Sequence, residues 1–282
     1  MDVRFGIYAK VAHDIIRDQA RLPTLPDVAL RLRHAAQDEN SDWDEIAGII
    51  QTDAGLSAHL IQTANRPLYR SWRKTKDLKK ALSLFGLETT RNLCLSYSLR
   101  AMFRTREPRL KRVLESLWTL SARRAALSAV LARGHRRLRP DRALLAGLLQ
   151  DVGLPLLYMR LEDHPEALGN PELLEDLAQT FGPGVALALL QSWGFDAELQ
   201  EVVHSRREWL RDHGSHPDLA DVVLLVNLHL LRADGDAPSD LPAIDSLPAY
   251  RRLDPGPVST RGTLQALDEC ADIQDIEGSI RG

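Results

Sequence analysis

The sequence of 282 residues is poor in cysteine, methionine and aromatic side chains: two Cys, three Met, and five each of Trp, Tyr and Phe. Cys94 and Cys270 fit neither a zinc-ligand spacing nor a disulfide framework. Cys94 lies in an apolar helical run and reads as a small core residue. Few aromatics beside abundant Leu, Ala and Arg favour helix over strand. No run approaches the roughly 20 apolar residues of a membrane span, so no membrane partner is expected. The first twenty residues carry charges throughout, unlike a signal peptide, and a cytoplasmic protein is expected. The chain has no internal repeat and no low-complexity tract. It also lacks a GxSxG elbow, a phosphate-binding P-loop, a dinucleotide fingerprint and a telling Cys–His pair, so none of those enzyme classes is indicated.

Net charge is small, -3, which predicts no general affinity for polyanions. Its distribution is uneven. Arg100 to Arg142 holds 13 Lys/Arg against 3 Asp/Glu, whereas Asp234 to Gly282 holds 4 against 10. Such asymmetry usually reflects solvated helix faces and attraction within the chain, and it speaks against nucleic acid as the main partner.

Helical periodicity dominates. Ile7, Val11, Ile15 and Ile16 predict a first amphipathic helix over 4–19. Thr24 and Asp27 open a helix over 28–37, Ser41 or Asp42 one over 43–51, and Asp53 the next, with Leu56, Leu60, Ile61 and Ala64 inward. Gly86 stops the helix that begins at Asp77, in the usual C-cap role. A long helix follows from Glu88 to about Arg104. Pro108 opens another, to Gly134, with Leu117, Leu120, Leu127 and Leu131 inward and an arginine-studded outer face. Asp141 caps a mostly apolar helix that ends at Gln150-Asp151-Val152-Gly153. Gly182-Pro183-Gly184 predicts a hard stop between two helices. Asp196 caps a helix to His204; 207–217 is a polar loop; Leu219 to Leu231 is a core helix. Beyond Gly235 the chain is loop-rich, with a short docking piece over 247–253, a last amphipathic helix over 263–276 and frayed final residues.

Asp151 is the pointed feature of this pattern. A carboxylate at the C-terminal end of a buried helix opposes the helix dipole. It therefore needs a metal, a basic side chain or backbone donors beside it.

Leu22-Pro23-Thr24-Leu25-Pro26-Asp27-Val28-Ala29, Ile49-Ile50-Gln51-Thr52-Asp53-Ala54-Gly55-Leu56-Ser57-Ala58, Ala64-Asn65 and Ala81-Leu82-Ser83-Leu84-Phe85-Gly86-Leu87-Glu88 resemble the successive motifs of the HDOD domain. That domain is an all-helical bacterial signalling module related to the HD phosphohydrolases. The resemblance is strong in this half and extends more weakly to about residue 235. It implies an all-α, two-lobed bundle. The N-terminal lobe would span 1–105 and a degenerate HD-like lobe 106–235, followed by an acidic, loop-rich extension, 236–282, that wraps back onto the basic middle helices.

In the HD enzymes, histidines and aspartates hold one or two metals that activate water and neutralise charge on phosphate. Carried over position by position, the resemblance places Leu120 at the early histidine, Gln150-Asp151 at the His-Asp pair and Gly182 at a later histidine. His204-Ser205 falls at the paired histidines and Asn227 at the final acid. Leu and Gly offer no donor atom, so Asp151 and His204 remain as the good ligands, too few for a hydrolytic metal site. His135, His164, His213 and His216 lie in loop-like sequence and are expected in solvent. The plainest expectation has Asp151 bonded to neighbouring donors, with His204 beside it. No metal or other cofactor is expected.

The implied function is non-enzymatic signal transduction or regulation, through signalling proteins as partners or through a small ligand. One alternative is a metal-dependent phosphohydrolase, such as a cyclic-dinucleotide phosphodiesterase. Another is nucleotide or nucleic-acid binding on a basic surface: Arg66, Arg70, Trp72 and Arg73 form an arginine-plus-aromatic connection that can stack on a base or hold an anion, and Arg100 to Arg142 offers a second basic stretch.

Overall fold

The computed structural model describes residues 22–35, 43–69, 74–162, 165–235 and 240–281. The helix expected over 4–19 and the residues Arg70, Trp72, Arg73 and His164 lie outside them. Among the described residues the fold is all-α, with an isolated bridge, Val258 to Leu264, in place of any strand. The chain divides into two compact units, one of residues 1–24 and 102–268, the other of 25–101 and 269–282.

The smaller unit holds α1 (Asp27–Ala35), α2 (Trp43–Gln51), α3 (Ala54–Ala64), α4 (Leu78–Phe85), α5 (Leu87–Leu99) and a helix from the far end of the chain. Asp53 and Asp77 cap α3 and α4 by accepting the backbone N–H three residues on, which satisfies one of the orphan donors of each first turn. Gly86, at φ 75°, ends α4. Asn65 holds the incoming loop at both backbone groups of Thr75, 2.9 Å each. The core comprises Leu32, Ile46, Ile50, Leu56, Leu60, Leu82 and Leu93, with Cys94 fully buried among them.

The larger unit is built on α6 (Pro108–Arg133), α7 (Pro140–Leu149), α8 (Leu154–Met159), α9 (Pro165–Leu168), α10 (Pro171–Ser192), α11 (Ala197–His204) and α12 (Leu219–Ala233). Helices α6 and α7 pack along their lengths. The reason is Gly147: a Cβ there would stand 3.0 Å from the Ala125 backbone, so only glycine lets the two backbones approach this closely. Helix α7 starts at Pro140 rather than at a cap by Asp141, which pairs with Arg139 instead.

The expected stop at Gly182-Pro183-Gly184 does not occur. Helix α10 runs unbroken from Pro171 to Ser192 through Pro183. An internal proline costs a helix about 3 kcal/mol. Here it is offset by one apolar face that continues across the break, with Leu173, Leu177, Ala178, Gly182, Val185, Ala186 and Leu189 all buried. That face packs on α8 and α11. Gly153, just before α8, sits against the same turn, where a Cβ would meet the Ala186 nitrogen at 2.5 Å. At 22 residues, α10 is long and apolar enough to cross a membrane, although no run of that kind is expected from sequence. Half of its most apolar stretch is buried within the protein, as in a core helix.

The acidic C-terminal segment is shared between the units. Helices α13 (Pro248–Leu253) and α14 (Gln265–Asp268) pack on α12 and α6. Helix α15 (Asp272–Arg281) belongs to the smaller unit and packs on α5. The expected fraying is not seen over the described residues of α15, which ends at Arg281 with Ile276, Ser279 and Ile280 buried. Asp221, fully buried on α12, fixes α13 by accepting from Arg252 Nη2 and Nε, 2.8 Å each.

Candidate functional site

The Asp151 carboxylate lies one residue past the end of α7 and its immediate neighbour Gln150, where the backbone turns into α8. It is 7% exposed and is bound by two arginines. Arg124 Nη1, from the middle of α6, stands 2.8 Å from Oδ2. Arg206 Nη1, two residues past α11, donates to Oδ1 at 3.1 Å. Arg206 also donates to Gln179 Oε1 of α10 at 2.7 Å. Arg124 Nε donates to Asn227 Oδ1 of α12 at 2.8 Å, and Asn227 Nδ2 donates to Gln150 Oε1 at 2.7 Å. The partner that the helix end demands is thus a pair of guanidiniums.

Burial alone would raise the Asp151 carboxyl, but the Arg124 and Arg206 charges outweigh it and hold the group below the usual carboxylate range. Burial lowers Arg206, and Asp151 opposes that shift. The Tyr158 phenol is pushed up to about 12 by burial, with Glu175 and Asp151 adding to the shift. It is therefore a neutral hydroxyl at physiological pH.

These groups line a cavity of about 230 Å³ within the larger unit. Its floor is Arg124, Gln150, Asp151, Arg206 and Asn227; Leu117, Leu120, Leu154, Leu230 and Trp209 supply apolar wall. Leu117 and Leu120, expected in the core, are half-buried because they face this space. Glu175, Arg207 and Asp234 stand at the exposed rim.

Of the positions singled out in sequence, Leu120, Gln150, Asp151 and Asn227 converge on the cavity. Gly182 adjoins it on α10, against Leu154. His204 does not join them. Its side chain is 66% exposed and lies 4.0 Å from Glu208. Ser205 is buried and bonded to Glu201. The expectation that His204 accompanies Asp151 is therefore corrected: Arg206 takes that place, because α11 ends at His204 and the next turn carries residue 206 inward. Arg124 likewise departs from the expected solvated face of α6, at 5% exposure. Sequence reading missed both arginines, although a buried acid at Asp151 is itself a signal that a buried base must exist.

Arg66 lies in the smaller unit, half-buried, with its guanidinium over Gly278 of α15, so at least part of that expected anion surface is used in packing. In the basic stretch 100–142, Arg142 pairs with Asp196 and Glu198 at 2.8 and 2.6 Å. Its charge too is partly satisfied within the chain. His135 is half-buried and His216 exposed.

A second group of ligand-type atoms is formed by His213, Asp218 and Asp221, all within 4.8 Å of one another. Arg211 Nη1 already stands 2.8 Å from Asp218 and 2.9 Å from Asp221, and Arg252 Nη2 2.8 Å from Asp221. Two guanidiniums neutralise this cluster as an ion-pair network.

The HDOD domain family model matches residues 22–208. The chain belongs to the HDOD family. The fold of this HDOD protein is similar to that of a Shewanella amazonensis SB2B protein provisionally named a metal-dependent phosphohydrolase, at 25% identity and TM-score 0.79, covering 100% of this chain and 99% of that one. It is also similar to an HDOD domain protein of unknown function from Geobacter sulfurreducens, at 21% identity and TM-score 0.68, with 96% of each chain covered. An uncharacterised Treponema pallidum (strain Nichols) protein is 22% identical over an alignment of 228 residues, with 77% of this chain and 44% of that relative covered. The HDOD chain thus spans less than half the length of that curated relative.

The Shewanella name raises the question of a metal, and the residues at the cavity do not fit one. Both Asp151 oxygens face guanidiniums. A divalent ion at that carboxylate would stand beside two fixed positive charges, and the resemblance to the HD enzymes implies further ligands at Leu120 and Gly182, which have no donor atom to offer.

Proposed function

We propose that this HDOD protein is a non-enzymatic, cytoplasmic regulatory protein that acts by binding signalling proteins or a small ligand. The observation that carries this reading is the double arginine clamp on Asp151, at 2.8 and 3.1 Å. A hydrolytic metal site needs several anionic or imidazole ligands converging on an open position. This cavity instead offers one buried carboxylate, already held by two arginines, beside neutral amides of which Gln150 and Asn227 are bonded to each other; its other carboxylates, Glu175 and Asp234, stand at the exposed rim. The membership of a family of signalling modules supports a regulatory role, and the hydrogen bonds that tie Arg124 to Asn227, Asn227 to Gln150, and Arg206 to Asp151 and Gln179 support a scaffold. Hydrolysis of cyclic dinucleotides and of p-nitrophenyl phosphate esters, assayed with added manganese, nickel or iron(II), tests the reading. The full chain should show no turnover above the Asp151→Ala variant. Metal-dependent turnover that disappears in Asp151→Ala would overturn it.

A further inference from the structure

The ion-pair cluster under the cavity is not charge-balanced. Arg124 and Arg206 carry two positive charges, and Asp151, the acid between them, carries one negative. The side chains of all three are 10% exposed or less. The other charged groups on the lining are on the rim. Arg207 and Glu175 pair there at 3.4 Å, each more than half exposed, and Asp234 is exposed where α12 ends. The remaining polar groups on the lining, the Gln150, Asn227 and Gln179 amides and the Tyr158 hydroxyl, are neutral. The buried floor groups thus carry a surplus of one positive charge, which Asp234 at the exposed rim balances only from solvent, and they face a cavity that is partly open. A buried charge without a counter-charge is costly, and an anion from solution removes that cost.

We infer that this cavity is a binding site for a small organic monocarboxylate. Its carboxylate would meet the Arg206 and Arg124 side, and its apolar body would lie against Leu117, Leu120, Leu230 and Trp209. The inference rests on the proposed function above and names the ligand class for it. Charge selects the headgroup. A carboxylate brings one negative charge and matches the planar guanidinium fork. A phosphomonoester carries about -1.5 to -2 at neutral pH and would overfill the site while approaching Asp151. Size selects the body. Pockets for drug-sized ligands run to about 300–1,000 Å³, so 230 Å³ suits a smaller molecule and excludes an enclosed cyclic dinucleotide. The apolar wall disfavours a bare inorganic ion, which would leave the leucines facing water.

The experiment is ligand-observed NMR titration of the full chain, without added metal. Benzoate and hexanoate are the probes, with benzyl alcohol, phenyl phosphate and inorganic phosphate for comparison. Benzoate or hexanoate should bind saturably with Kd at or below about 1 mM, and at least tenfold more tightly than the other three. Arg206→Met should weaken that binding at least tenfold. Leu120→Trp, which fills the cavity and keeps all three ion-pair residues in the chain, should do the same and keeps the test valid should Arg206→Met fail to fold. No saturable binding of either carboxylate, equal binding of inorganic phosphate, or binding unchanged by Leu120→Trp would overturn the inference. The outcome is separable from that of the hydrolysis assay. A hydrolytic chain that still binds benzoate through Arg206 refutes only the proposed function, and an inactive chain that binds neither carboxylate refutes only this site.

Discussion

Replacing Asp151 with alanine should be a stability mutation before it is anything else. Removing one member of a buried ion pair costs about 3–5 kcal/mol, because the remaining charge is left buried and unpaired. Here two charges are left. Arg124 and Arg206 each touch one oxygen of the same carboxylate, at 2.8 and 3.1 Å, so the contacting nitrogens are at most roughly 8 Å apart. At an effective dielectric of about 20, unit charges at that distance repel by about 2 kcal/mol. Water entering the 230 Å³ cavity would hydrate the freed guanidiniums, which points to the lower end, a loss of about 3 kcal/mol. Urea denaturation followed by far-UV circular dichroism and tryptophan fluorescence measures it. Three of the five tryptophans, Trp118, Trp193 and Trp209, lie in the larger unit, so fluorescence weights that unit's transition if the two units unfold separately. Replacing the whole triad by Arg124→Met, Asp151→Leu and Arg206→Met should recover at least about 2 kcal/mol, since apolar residues of similar volume can substitute for a buried ion cluster. A loss under about 1 kcal/mol for Asp151→Ala, or no recovery in the triple variant, would refute the reasoning.

The smaller unit should be acid-sensitive through His59. Burial, then Arg66 and Arg100, lower its pKa to about 4. The neutral form is favoured when folded, so the unfolded chain binds more protons between pH 4 and about 6.5. Stability is fully present above about pH 6.5 and falls as pH drops toward 4, by up to about 3 kcal/mol; urea midpoints across that range should flatten in His59→Gln. The depressed carboxyls Asp151 and Asp221 act in a lower window: their stabilisation holds above about pH 4 and is lost as pH falls through their folded values. Gly153→Ala places a Cβ 2.5 Å from the Ala186 nitrogen and should cost about 1–3 kcal/mol in chemical denaturation. Arg252→Met removes two 2.8 Å bonds to Asp221. It should loosen α13, seen as faster limited proteolysis after residue 235, while Arg211 still partners Asp221.

Helix starts were the most legible part of the fold, because their chemistry is local. Asp53 and Asp196 cap as their sequence context predicts, Asp77, read as the first residue of its helix, is the cap of α4, and Gly86 ends α4 with positive φ. Continuity through Gly182-Pro183-Gly184 was not legible, because it depends on where α8 and α11 place their apolar surfaces. For the site, the resemblance brought out Leu120, Gln150, Asp151 and Asn227, which do share one cavity. Arg124 and Arg206 stayed hidden for a simple reason. Charged residues are exposed by default, and burial of an arginine is decided by an acid on another helix. The local surplus of arginine around α6 supplied one of the two, and only three-dimensional proximity distinguishes Arg124 from its solvated neighbours.

The central claim is that a guanidinium pair holds the place that a metal would need at Asp151. Elemental analysis of the purified full chain, after growth with manganese, iron and nickel supplied, tests it most directly. No stoichiometric transition metal dependent on Asp151 is expected. A metal bound at one equivalent or more per chain and lost in Asp151→Ala would contradict it.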